Sequence, residues 1–278
     1  MLIDTHAHVN FTAFKDDADA TIRRALDEGT WIVNVGTQID TSRSCVELAQ
    51  IYEHVYAVIG IHPVHTYQQM LDEEESHFKT RAEKFDHDLY FELGKNSKVV
   101  GIGECGLDYY RLPENTDHEA IKALQKDTFI GQIKLAQELD KALVIHCRPG
   151  KDSQDAYDDI IQILDEHKTS SLRFEIHSFT GSPETVEKFL ARGAYVGFNG
   201  IITFDKSGNM EKVVKAAPLD RIVLETDSPY LTPLPHRGKR NEPSYVKFVA
   251  EKVAQIKNLS LEEVCSQTTS NAKALFNI

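Results

Sequence analysis

Val99-Val100-Gly101-Ile102-Gly103-Glu104-Cys105-Gly106-Leu107-Asp108 opens as an apolar run and ends among acids. A short, continuous apolar run of this kind suits a strand buried on both faces, as in a parallel sheet covered by helices. Seven other runs share the character, beginning at Leu2, Trp31, Val55, Ala142, Leu172, Ala194 and Arg221. Amphipathic stretches separate them. One follows Asp16-Asp17, with Ala18, Ile22, Ala25 and Leu26 on one face and Gly29 as its stop. A longer one covers residues 117–139 and turns Ile121, Leu124, Phe129, Ile133 and Ala136 inward. Helices are also expected over 42–52, 152–167, 183–192 and 245–257. The polar stretch 68–84 reads helical as well, and 261–276 carries one or two closing helices.

Eight strands alternating with helices predict an α/β protein, a (β/α)8 TIM barrel, rather than an open doubly wound sheet. The absence of a Gly-rich phosphate loop after the first run weakens the dinucleotide-binding alternative. The chain has 278 residues, 41% of them hydrophobic, and barrels of roughly 250 residues form one domain. No linker, low-complexity tract or tandem repeat divides it, so residues 1–278 are expected to be a single domain.

The net charge of -12 argues against a protein that coats nucleic acid through its overall field. Any such contact must come from a local basic patch or from bound metal. Cys45, Cys105, Cys147 and Cys265 form no C-x-x-C pair and suggest no thiolate metal site; sporadic cysteines fit a reducing compartment. The first residues show no signal-peptide pattern, and no apolar run approaches the roughly 18 residues of a membrane span. A cytoplasmic protein is expected, with no membrane partner and no obligate protein partner evident.

The chemistry lies just past each strand. The runs end in Asp4-Thr5-His6-Ala7-His8, Gly60-Ile61-His62-Pro63, Glu104 through Asp108, His146-Cys147-Arg148, His177-Ser178-Phe179 and Glu225-Thr226-Asp227-Ser228-Pro229. In a parallel barrel these ends converge on one mouth, where catalysis occurs in this fold. His6 and His8, two apart on a strand, share a face and can reach one ion. Glu104, His146, His177 and Asp227 converge from other strands. Two carboxylates and four imidazoles, half buried and unpaired, would be costly together; a divalent cation removes that cost, and the donor types suit zinc, manganese or magnesium. Six candidates exceed the protein ligands of one catalytic zinc, so two ions are more natural. A single buried histidine is usually a hydrogen-bonded core residue, and an isolated H-x-H pair is weak. Five of the 12 histidines fall at strand ends, and that convergence favours the metal reading.

The same stretches, extended to Gly103-Glu104-Cys105-Gly106-Leu107-Asp108-Tyr109-Tyr110-Arg111, His177-Ser178-Phe179-Thr180-Gly181, Glu225 through Leu231, and Pro235-His236-Arg237-Gly238-Lys239-Arg240-Asn241-Glu242-Pro243, resemble the signatures of TatD-type deoxyribonucleases. The match spans nearly the whole chain in motif order. The H-x-H pair is shared with the wider amidohydrolase superfamily. The resemblance implies a dinuclear barrel: His6, His8 and Asp227 on one ion, His146 and His177 on the other, Glu104 bridging. Cys105 stands where an aliphatic residue is common in the family, at a position expected to face the barrel wall. His62 is implied as a substrate-phosphate contact, the alternative being a structural hydrogen bond. Glu225 is expected to orient a ligand histidine, the alternative being a surface carboxylate.

Arg111, Arg148, Arg237, Lys239 and Arg240 cluster near the same mouth and suit phosphate recognition, although each alone reads as a solvated loop charge. Tyr109, Tyr110 and Tyr230 could stack bases or simply pack. The expected activity is hydrolysis of DNA phosphodiester bonds, with metal-activated water and Asp227 taking its proton. The alternative is another ester or amide, such as a D-aminoacyl-tRNA ester or a small amide, on the same scaffold. The basic loop favours a nucleic acid over a small neutral substrate and does not separate DNA from tRNA.

Overall fold

The apolar runs pair in parallel. The computed structural model describes residues 1–73 and 76–278, with side chains outside 71–79. Its strands are β1 (Leu2–Ala7), β2 (Thr30–Val35), β3 (Val55–Ile59), β4 (Met70–Glu73), β5 (Ser76–Lys79), β6 (Val99–Asp108), β7 (Ala142–Arg148), β8 (Phe174–Ile176), β9 (Tyr195–Phe198) and β10 (Ile222–Leu224). β4 and β5 form a separate antiparallel pair; the other eight make one parallel sheet in the order β1-β2-β3-β6-β7-β8-β9-β10. The ring is drawn together where β10 meets β1. There Asp227 donates its N–H to the His6 carbonyl and His8 donates to the Ser228 carbonyl, each at 2.8 Å. The fold is therefore the expected β/α barrel.

The helices are α1 (Ala18–Asp27), α2 (Ile39–Ile51), α3 (His87–Gly94), α4 (His118–Glu138), α5 (Asp155–His167), α6 (Pro183–Leu190), α7 (Ile201–Phe204), α8 (Asn209–Ala216), α9 (Val246–Lys257) and α10 (Leu261–Phe276). Alternate strand residues divide the core. Ile32, Ala57, Ile59, Ile102, Leu143, Ile145 and Phe174 pack in the large cluster with the helices. Ile3, Val33, Val58, Val100, Val144 and Val223 form a second cluster with Leu275 and Phe276 of α10. The closing helix thus seals the barrel floor, leaving the opposite mouth for chemistry.

Two expectations need correction. The stretch 68–84 is not helical: β4 and β5 pair there, and Thr80 clamps the base by accepting the Gln69 N–H at 2.7 Å and donating its own N–H to the Gln69 carbonyl at 2.9 Å. This polar stretch offers no apolar stripe to bury, and helices depend on such packing. Residues 74 and 75 of that expectation lie outside the described residues. Leu124 is not inward but 41% exposed. The buried stripe of α4 instead runs through Gln125, Thr128, Phe129, Gln132, Ile133 and Ala136. The closing stretch 261–276 forms a single helix, α10, within the expected one or two. Helices α3, α7 and α8 were not anticipated from the pattern.

The two buried glutamines explain the misreading of α4, because each works as a backbone clip. Gln132 accepts the Ile61 N–H at 2.8 Å and donates to the Ile61 carbonyl at 3.0 Å, just before His62. Gln125 does the same for Asp108, at 3.0 and 3.1 Å. Both therefore fix strand ends that carry site residues. Gln132→Leu should leave two buried backbone groups without partners and cost about 2–5 kcal/mol. Urea unfolding checks this; a loss below about 0.5 kcal/mol would show that Ile61 finds other partners.

Candidate metal centre

The barrel strands bring the six expected ligand side chains to one mouth. β6 delivers Glu104, and Gly106 makes its approach to β7 possible: φ is +129°, and a Cβ there would lie 2.1 Å from the His146 carbonyl oxygen. Glu104 is the hub. Its Oε1 lies 2.9 Å from His146 Nδ1, 3.4 Å from His62 Nε2 and 3.8 Å from His177 Nε2. Its Oε2 lies 3.4 Å from His6 Nε2 and 3.8 Å from His8 Nε2. Asp227 Oδ1 faces His8, His177 and His6 at 3.4, 3.8 and 3.9 Å. Groups whose donor atoms lie within 4.8 Å of one another are His6–His8–Asp227, His62–Glu104–His146 and His6–His177–Glu225. His62 thus sits among the candidate ligands; its Nδ1 accepts the Val64 N–H at 3.2 Å, leaving Nε2 toward Glu104.

A surrounding set of groups fixes the histidines. Glu225 is fully buried, not a surface carboxylate. Its Oε2 accepts from His177 Nδ1 at 2.9 Å, while its Oε1 accepts the Ser178 N–H and an Asn199 amide N–H. Gly197 leaves room for it, since a Cβ there would meet Glu225 Oε2 at 2.3 Å. His8 Nδ1 bonds the Val35 carbonyl at 2.8 Å. Asp108 was not singled out from sequence. It is buried, accepts the Tyr110 and Arg111 N–H groups, and lies 3.2 Å from His146 Nε2. Its place as the closing acid of the β6 run was the available signal. Cys105 is buried in the core with its thiol toward the Val144 carbonyl, away from the site.

Charge follows this geometry. Burial opposes ionisation of Glu104, yet the facing His62, His146 and His6 hold its carboxyl well below the usual range. Burial likewise opposes ionisation of Asp108, but His146 brings it down to about 2. For His177, burial is outweighed by Glu225, Asp227 and Glu104, which raise it to about 10. Burial and the adjacent charged His177 lower His6 to about 4.

The donor set fits a divalent metal. His6 and His8 bring their Nε2 atoms within 3.2 Å of each other. One proton at most can lie between them, and the Glu104 and Asp227 oxygens crowd the same space. Such convergence of buried lone pairs is relieved by a cation, and imidazole with carboxylate suits zinc or manganese.

A cavity of about 610 Å³ opens above Glu104 and Asp227, and its wall includes Arg111, Arg148, Arg237, Phe204 and Tyr230. Arg148 lies over the Tyr110 ring at 4.2 Å and Arg237 over the Phe204 ring at 4.1 Å. The other two basic candidates fall elsewhere. Lys239 is exposed and does not line the cavity. Arg240 is held by both oxygens of Asp17, at 2.9 and 2.6 Å, and covers Phe14. Tyr109 is buried and donates to Asp159 at 2.7 Å, so it packs rather than presenting a face.

A β/α barrel whose strand ends gather histidines and carboxylates beneath an arginine-walled cavity defines a metal-dependent hydrolase. The chain belongs to the TatD related DNase family, whose profile matches residues 3–277. It is 40% identical, over all of both chains, to a Bacillus subtilis (strain 168) protein named uncharacterized metal-dependent hydrolase YabD. It is 29% identical, over all of this chain and 99% of the relative, to the 3'-5' ssDNA/RNA exonuclease TatD of Escherichia fergusonii. The crystal structure of YJJV, a TatD homolog from Escherichia coli K12, superposes with a TM-score of 0.82 at 26% identity, covering 100% of this chain and 98% of that one. No helix among the described residues is long and apolar enough to cross a membrane.

Proposed function

We propose that this hydrolase cleaves phosphodiester bonds of DNA at a centre of two divalent ions, zinc, manganese or magnesium. The observation that carries the reading is the placement of Arg111, Arg148 and Arg237 on the wall of the cavity that holds Glu104, Asp227 and the histidines. A relative named for single-stranded nucleic-acid cleavage supports it. His6, His8 and Asp227 would hold one ion and His146 and His177 the other, with Glu104 shared between them. Bound there, the ions supply Lewis acidity, drawing charge from the phosphate and making a water easier to deprotonate.

The chain's own groups do the rest. Arginine forks suit phosphate oxygens and orient the ester. His62, with Nε2 directed at Glu104, is placed to contact the reacting phosphate. Burial works against the Asp227 charge, but His177 and His8 keep its carboxyl ionised at neutral pH, so it can accept a proton from the attacking water. The cavity of about 610 Å³ is of a size to take a nucleotide or two, as ligand pockets do. Base-paired DNA would have to open first.

The metal-loaded protein should hydrolyse single-stranded DNA faster than duplex DNA, RNA, acyl-tRNA or small carboxylic esters and amides. A dominant rate on acyl-tRNA or a small ester would transfer the reading to that substrate.

Metal uptake should also release protons. His177, protonated up to about pH 10 in the metal-free protein, must free its Nε2 to become a ligand. Apparent metal affinity should therefore rise with pH between about 6 and 8. Calorimetry in buffers of different ionisation enthalpy measures the released proton; none released would remove His177 from the ligand set.

A further inference from the structure

Two arginine–aromatic pairs stand at separate places on the rim of the mouth. Tyr110 follows β6 and Arg148 ends β7; Phe204 ends the helix after β9, and Arg237 lies in the loop after β10. Around the ring these positions are separated by β8 on one side and by β1, β2 and β3 on the other. Glu104 and His146 rise near the first pair and Asp227 near the second, so the metal centre lies between them. Resting on the phosphodiesterase reading above, we propose that each pair is a nucleotide subsite, one on either side of the scissile phosphate. The substrate is then a single strand laid across the mouth, not a lone terminal nucleotide.

Cation–aromatic pairs are common on protein surfaces, and what marks these two is their surroundings. Both guanidiniums line the one cavity. Among the described residues neither is paired with a carboxylate: Arg148 rests on Tyr110, and Arg237 rests on Phe204 while donating to the Thr232 carbonyl at 3.1 Å. Arg240, also over an aromatic ring, is by contrast neutralised by Asp17. In a chain of net charge -12, unpaired arginines beside a carboxylate-rich centre are poised for an external anion. A guanidinium seated over a ring is held in place while N–H donors remain available to a phosphate. The ring itself is a base-stacking surface. Tyr110 is 54% exposed, whereas its neighbour Tyr109 is 5% exposed; Phe204 forms part of the cavity wall.

The test is the length dependence of binding. Metal-loaded protein is titrated into labelled, 5′-phosphorylated, phosphorothioate-linked strands, from a mononucleotide to a hexanucleotide, and anisotropy is read. Affinity should climb to the trinucleotide, which supplies a phosphate on each side of the scissile one, and then level off. Tyr110→Ala and Phe204→Ala should each remove one increment, weakening trinucleotide binding about 5- to 150-fold, and the double variant should remove both. Arg148→Ala and Arg237→Ala should each reduce the slope of log affinity against log salt by about 0.7. A purely structural role would weaken every length by one common factor and leave the salt slope alone; that pattern, or wild-type affinity independent of length, overturns the proposal. Ordinary DNA of the same lengths separates the two readings. Absence of hydrolysis at every length defeats the phosphodiesterase reading, while length-dependent binding lost in the variants still establishes the subsites.

Discussion

Glu104→Ala should strip bound metal and abolish hydrolysis, with turnover falling on the order of 10⁴-fold or more. One carboxylate oxygen faces His62, His146 and His177, and the other faces His6 and His8. Asp227 reaches His6, His8 and His177 through one oxygen, whereas Glu104 turns a separate oxygen to each group. Removing Glu104 takes away the negative charge that would sit between two cations and leaves the imidazoles facing one another. Raising substrate concentration should not restore the rate, because the missing component is the centre and not the binding surface. The variant should remain folded, since the barrel core does not depend on Glu104; thermal unfolding of the metal-free forms checks this. A folded Glu104→Ala protein with full metal content and a near-normal rate would contradict the bridging role.

Asp227→Asn should act differently. Asparagine keeps the shape and one oxygen directed at His8, but loses the charge and the proton acceptor. Turnover should fall by about 10²- to 10⁴-fold while KM changes little, the pattern of an interaction made chiefly in the transition state. Metal content must be measured on the same sample, because Asp227 also faces His6 and His177 and loss of an ion would lower turnover by another route. Full metal content with near-normal turnover would remove Asp227 from the proton-accepting role.

The barrel was legible because its strands are buried on both faces and so read as apolar runs that stop abruptly at polar residues. That abrupt end also exposed the site, since His6, Glu104, His146, His177 and Asp227 stand at or near the ends of five of the eight runs. What escaped was polarity turned inward. Gln125 and Gln132 are buried because each satisfies both backbone groups of a strand-end residue, yet in sequence they look like the solvent face of α4. Asp4 is another case: it is fully buried, and its carboxylate accepts the Thr226 N–H at 2.8 Å and hydroxyl at 2.6 Å, tying β1 to the strand that leads into Asp227. Burial pushes its carboxyl well above the usual range. Nothing local distinguishes such an acid from a metal ligand or a surface charge.

The basic residues show the same limit. Arg237 and Arg240 stand three apart in one loop, but only Arg237 reaches the cavity, because Asp17, remote in sequence, captures Arg240. Cluster membership in sequence therefore overstated the phosphate-facing charge. It also concealed the pairing of Arg148, at the end of β7, with Tyr110 in the loop after β6.

We propose that the histidines and carboxylates at this mouth hold two divalent ions required for phosphodiester cleavage. The most direct measurement is a titration of metal into fully depleted protein, with bound metal per chain and hydrolysis of single-stranded DNA followed together. The rate should be negligible without metal and should rise to its plateau as occupancy approaches about two ions per chain. Full hydrolysis by the depleted protein, or a plateau reached with no metal retained at His6, His8, Glu104, His146, His177 and Asp227, would contradict it.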